Sequence, residues 1–183
     1  MSILFINACV REDSRTLVLA KSVLSEMSGE VTEVDLNKEN IPMLNRELLA
    51  KREALLQSAN YDDPMFRYAK QFAEADEIVI AAPFWDLSFP AILKAYMEQI
   101  TVSGITFKYN CGKPKGLCKA KRLIYVTTSG GPILADFGYG YIKTLAKAFY
   151  GIPQTKAYRA MNLDINMISA KELLTKADIS VIE

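Results

Sequence analysis

Glu77-Ile78-Val79-Ile80-Ala81-Ala82-Pro83-Phe84-Trp85-Asp86-Leu87 is the stretch that decides the fold. From Ile78 to Ala82 the chain is apolar without interruption and opens on β-branched residues. A strand with one wet face would alternate, so this run reads as a strand buried on both faces. Beyond the loop, Phe89, Ile92, Leu93, Tyr96, Met97 and Ile100 fall at helical spacing in one continuous stripe. Pro90 is tolerated there because it sits in the first turn. A doubly buried strand followed by a helix is the unit of a parallel sheet covered on both faces.

The same alternation extends in both directions. Ser2 to Asn7 reads as a first strand and Val31 to Leu36 as a second. Between them Leu17, Ala20, Leu24 and Met27 mark a helix that Gly29 stops. Leu48, Leu49, Leu55 and Leu56 make a helix after the loop at Pro42, and another lies between Asp63 and Ala75. Downstream come a fourth strand (Arg122 to Thr128) and a helix carrying Ile142, Leu145, Ala146 and Phe149, closed by Gly151 and Pro153. A fifth strand runs from Thr155 to Met161, and Ser169 with Glu172 forms a capping box opening a last helix. Right-handed crossovers then predict a three-layer α/β sandwich, a parallel sheet with helices on both faces. Its five strands fit the doubly wound order 2-1-3-4-5, which alternation by itself does not fix. Residues 1–183 read as one domain, with a ligand at the switch point beside the first strand.

Composition narrows the function. Lys and Arg number 22 against 21 Asp and Glu, a net charge of +1, which argues against a nucleic-acid groove or a polybasic membrane patch. Cys9, Cys111 and Cys118 form no C-x-x-C pair, and the chain has no histidine, so a zinc site lacks its usual ligands and no metal is expected. The missing histidine also removes the commonest general base, and no catalytic side chain is singled out. No apolar stretch approaches the roughly 20 residues that cross a bilayer. The start runs into an apolar strand with no cationic leader, which reads as cytoplasmic.

In a parallel sheet the loops after strands 1, 3 and 4 emerge at one edge, and all three are unusual. Arg11-Glu12-Asp13-Ser14-Arg15-Thr16 leads into a helix whose free amides and dipole suit a phosphate. Equally, Asp13 or Ser14 could serve as a cap with Arg15 solvated. No G-x-G-x-x-G or P-loop follows the first strand, against a Rossmann site or nucleotide triphosphate site. Pro83 to Leu87 sets two aromatics, one the only tryptophan, on a surface loop, where a flat ligand, a neighbouring helix or another subunit could meet them. Thr127-Thr128-Ser129-Gly130-Gly131-Pro132 has paired glycines that permit close backbone approach.

Ala82 to Leu87, Pro90 to Tyr96 and Gly104-Ile105-Thr106-Phe107-Lys108-Tyr109 together resemble the flavodoxin-like NAD(P)H dehydrogenase (quinone) and FMN-dependent NADH-azoreductase family. The similarity runs from the first strand to the last, with Gly104 to Tyr109 its most specific part. The resemblance implies a flavodoxin-like fold and FMN as cofactor. Ser14, Arg15 and Thr16 would hold the phosphate, and Pro83, Phe84, Trp85, Asp86 and Leu87 would lie along the isoalloxazine. Thr128, Ser129, Gly130 and Gly131 would meet the ring's polar edge. It implies a homodimer with the flavin at the interface. Ala8 and Cys9 stand where the family often has a serine, and Asp86 replaces its usual asparagine.

The activity so implied is ping-pong hydride transfer from NADH or NADPH, through FMN, to a quinone or azo compound. Two readings compete with it. A flavodoxin-type electron carrier would be strongly acidic, unlike this chain. A cofactor-free flavodoxin-like binding module remains compatible with the substitutions at Ala8 and Asp86.

Overall fold

The computed structural model describes all 183 residues. In chain order the elements are β1 (Ser2–Asn7), α1 (Arg15–Ser25), β2 (Glu30–Asp35), α2 (Arg46–Gln57) and a 3-10 turn (Pro64–Phe66) running into α3 (Arg67–Glu74). Next come β3 (Glu77–Ala81), α4 (Ala91–Ile100), β4 (Phe107–Asn110), β5 (Lys113–Gly116) and β6 (Arg122–Thr128). α5 (Tyr139–Leu145) continues into a π-helical turn (Ala146–Tyr150), followed by β7 (Gln154–Ala160), α6 (Leu173–Lys176) and β8 (Ile179–Ile182). The sheet order is β2-β1-β3-β6-β7-β8.

Five of these strands are parallel and stand in the expected order, with Ile78 of the central β3 paired between Leu4 and Leu123. Two expectations need correction. The sheet has six strands and is mixed, because β8 pairs antiparallel with β7 at the edge. The last helix begins at Leu173, not Ser169. Ser169 does donate its hydroxyl and its N–H to Glu172 Oε2, at 2.8 and 3.3 Å, but that closes a turn, and only one turn of helix follows.

The alternation of side chains across the sheet builds two cores. Ile3, Phe5, Val79, Ala81, Ile124 and Val126 face α1 and α6. Leu4, Ile6, Ile78, Ile80, Leu123 and Tyr125 face α3, α4 and α5. Helices therefore cover both faces, and every residue of β3 is buried.

The segment from Gly104 to Tyr109 does architectural work at the end of α4. Thr106, fully buried, donates its hydroxyl to the Ile100 carbonyl at 2.7 Å and accepts from the Val102 N–H at 3.1 Å. Gly104 has φ +91, and a Cβ on it would lie 2.7 Å from the Tyr61 hydroxyl, so a side chain there would strain the backbone and force Tyr61 to move. β4 and β5 then form an antiparallel hairpin outside the main sheet, a feature absent from the sequence reading.

Candidate functional site

The parallel strands bring three loops to their shared carboxyl edge. β1 ends at Asn7, whose Oδ1 accepts the Cys9 N–H at 3.0 Å, while Asn37 Nδ2 donates to the Cys9 carbonyl at 2.9 Å. Ala8 and Cys9 are buried, so neither offers a side chain to a ligand. Burial pushes the Cys9 thiol up to about 11, which keeps it neutral at physiological pH. Beyond this anchored base, the backbone N–H groups from Val10 through Thr16 reach no acceptor within the protein. The last two belong to the first turn of α1, where no intrahelical acceptor exists. Ser14 is the N-cap, its Oγ accepting from the Leu17 N–H at 3.2 Å.

The second loop is held to the sheet by Ala82 N–H donating to Val126 O and Phe84 N–H to Thr128 O, each at 3.0 Å. It then closes a two-residue turn. Trp85 and Ser88 exchange both backbone hydrogen bonds, at 3.1 and 2.7 Å, around Asp86 and Leu87 with φ +50 and +65. Both central residues being left-handed defines the type I′ geometry that asparagine and glycine favour. Asp86 makes no hydrogen bond and caps no helix, since α4 starts after Pro90.

In the third loop the Ser129, Gly130 and Gly131 carbonyls accept from the amides of Leu163, Asp164 and Asn162. The Gly130 and Gly131 N–H groups remain free. A Cβ on Gly130 would lie 2.0 Å from Asp164 Oδ2, so glycine here lets the β7–α6 segment close against the loop. Arg15 completes that closure, donating to Asp164 Oδ1 at 2.6 Å and to the Ile168 carbonyl at 3.2 Å. Thr16 and Thr128 join their hydroxyls at 2.7 Å beneath the loops.

Together the loops enclose a cleft of about 460 Å³. Of the residues singled out in the sequence, Ser14, Arg15, Thr16, Pro83, Phe84, Trp85, Thr128 and Gly130 line it. Asp86, Leu87, Ser129 and Gly131 do not. The wall supplied by Asp164, Ile168, Ser169 and Ala170, and the contribution of Val10, were missed. Nothing local marks them, because the Arg15–Asp164 contact that builds the wall spans 149 residues.

The model of the flavodoxin-like fold family matches residues 1–181. The chain belongs to the flavodoxin-like family. Among curated relatives of this flavodoxin-like chain, the FMN-dependent NADH:quinone oxidoreductase of Coprothermobacter proteolyticus is 39% identical over 165 residues, covering 84% of this chain and 82% of its own. The FMN-dependent NADH:quinone oxidoreductase 2 of Clostridium perfringens is 35% identical over 180 residues, 93% of this chain and 90% of its own. Among solved structures, an azoreductase from Bacillus anthracis str. Sterne aligns with a TM-score of 0.79 at 24% identity, over 96% of this chain and 93% of that one. At that identity the likeness speaks for the flavodoxin-like fold, whose ligands bind outside the carboxyl ends of the strands, where this cleft lies.

Proposed function

We propose that this protein is an FMN-dependent NADH:quinone oxidoreductase that also reduces azo compounds, with FMN in the carboxyl-edge cleft. The observation that carries the reading is the Val10–Thr16 loop, whose amides find no acceptor in the protein and whose residues, Glu12 excepted, line the same cleft as Phe84 and Trp85. The residues present fit the group. A phosphate needs several donors, and this loop has seven N–H groups without an internal partner, the last two of them in the first turn of α1. A flat ring needs an aromatic or apolar face, and Trp85 is 37% exposed beside it.

When bound, FMN supplies the acceptance of hydride from NADH and its delivery to the acceptor. The protein's own part is positioning. The Val10–Thr16 amides and the α1 dipole hold the phosphate, and Thr128 fixes Thr16 beneath it. The free Gly130 N–H is available to the ring's polar edge, and Pro83, Phe84 and Trp85 give the ring its wall.

The proposal includes a homodimer. Leu87, Leu134 and Phe137 are 44%, 84% and 62% exposed, and Phe137 N–H donates to Leu87 O at 3.1 Å, which joins the Phe137 segment to the Trp85 turn. An apolar patch beside the cleft suits a second copy covering it. The action of residues 1–183 as one domain and a cytoplasmic setting, which three free thiols suit, belong to the same proposal.

The purified protein should bind FMN, and NADH should bleach the bound flavin anaerobically until added benzoquinone restores it. Initial rates should give parallel double-reciprocal lines, as a ping-pong enzyme requires, and light scattering should report twice the chain mass. Failure to take up FMN, or bound flavin that NADH leaves oxidised, overturns the reading.

A further inference from the structure

The cleft holds two arginines with different tasks: we propose that Arg11 is the side chain that grips the flavin phosphate, while Arg15 holds the cleft wall and takes no part in anion recognition. This inference rests on the reading of the cleft as an FMN site.

Four charged side chains line the cleft: Arg11, Asp13, Arg15 and Asp164. Arg15 and Asp164 cancel within one ion pair at 2.6 Å, and the second arm of the same guanidinium holds the Ile168 carbonyl. Asp164 in turn lies against Gly130 and donates its N–H to the Gly130 carbonyl at 3.0 Å. Turning Arg15 toward a phosphate would release an anionic carboxylate beside an anionic ligand and loosen the wall from α1. The geometry therefore commits Arg15 to structure.

Arg11 has the opposite character. It is exposed, forms no ion pair or side-chain hydrogen bond, and belongs to the loop whose N–H groups are free. Glu12 and Asp13 follow it on the same exposed loop, and Asp13 lines the cleft. With Arg11 present the lining sums to zero; without it the lining is net negative toward a group carrying close to two negative charges at neutral pH. The planar guanidinium fork suits bidentate contact with phosphate oxygens. Arg11 is thus the one cation in the lining free to offset Asp13 and meet the phosphate.

Riboflavin differs from FMN only by lacking the phosphate, so the ratio of the two affinities isolates this subsite from the ring. Fluorescence titration of both flavins should show Arg11→Gln lowering the FMN-to-riboflavin ratio about ten-fold or more, with riboflavin affinity unchanged. The double variant Arg15→Gln/Asp164→Asn, which keeps the lining neutral, should hold the ratio within about three-fold, on the order of ordinary context effects. An unchanged ratio in Arg11→Gln overturns the proposal, as does an equal fall in the double variant. Should the double variant not fold, Arg11→Gln alone still decides the phosphate ligand. Binding of neither flavin by the natural protein refutes the FMN reading itself, a different outcome from FMN bound with Arg11 irrelevant.

Discussion

The loop after β1 and the segment after α4 are both short, polar and glycine- or hydroxyl-bearing, yet they treat their hydrogen bonds in opposite ways. From Val102 to Phe107 all the N–H groups that face the interior find partners: Gly104 N–H donates to Phe107 O at 2.7 Å, Ile105 and Thr106 N–H both reach Val102 O, and the Thr106 hydroxyl ties back to Ile100, while Ser103 is left to solvent. From Val10 to Thr16 no N–H has an internal acceptor. A buried donor without a partner is costly, so a saturated segment can sit in the interior and an unsaturated one must face water or a ligand. The difference separates architecture from site more sharply than residue type does.

Three substitutions test that contrast. The largest effect belongs to Gly104→Ala, which sets a methyl against Tyr61 at a φ of +91. It should destabilise the fold by about 2–3 kcal/mol in urea unfolding, with unchanged FMN affinity per folded molecule. Lost flavin affinity at full stability would make this segment part of the site.

Thr106→Val comes next. It keeps the shape and leaves the Val102 N–H and Ile100 carbonyl without their hydroxyl partner. A loss of about 2 kcal/mol is expected, again without effect on the flavin. A neutral result would mean that water or backbone relaxation replaces the hydroxyl, and the segment would be less saturated than described.

The smallest change has the opposite sign. Leu87 holds φ +65 in the turn beside the cleft, a strain of about 1–2 kcal/mol for a residue with a side chain. Leu87→Gly removes that strain but loosens the unfolded chain by roughly 0.5–1 kcal/mol. The urea midpoint should therefore stay level or rise, by the equivalent of about 0.5 kcal/mol. A clear fall that depends on protein concentration would place Leu87 in the proposed dimer contact, and one that does not would show that it is held by packing within the chain.

What the sequence disclosed follows the same physics. β3 and α4 were readable because strong burial leaves an unbroken apolar run and a stripe at helical spacing. That the sheet is parallel and covered on both faces followed from the alternation of elements, whereas the strand order was a fit to the flavodoxin-like arrangement that alternation alone does not fix. β8 was not readable: it is short and only partly buried at a sheet edge, where pairing is decided by the neighbouring strand. The β4–β5 hairpin was hidden by lysines, Pro114 and a Cys111-Gly112 turn. In the cleft, the loops after β1 and β3 announced themselves through donors and aromatics. The far wall did not, because its membership depends on Arg15 finding Asp164 across the fold. That pairing is also what moves the proposed phosphate contact from Arg15 to Arg11.

The meeting of Gly130, Asp164 and Arg15 has a consequence for descent. A Cβ at position 130 would strike the Asp164 carboxylate, and Asp164 is what orients Arg15. The three positions are therefore coupled, although the exposed Asp164 side chain can turn away from a small addition. In lineages that acquire a side chain at 130, position 164 should have shrunk to glycine or alanine, and position 15 should have lost its need for a guanidinium. Such co-inheritance would be a record of this contact, written in sequences whose folds have yet to be compared.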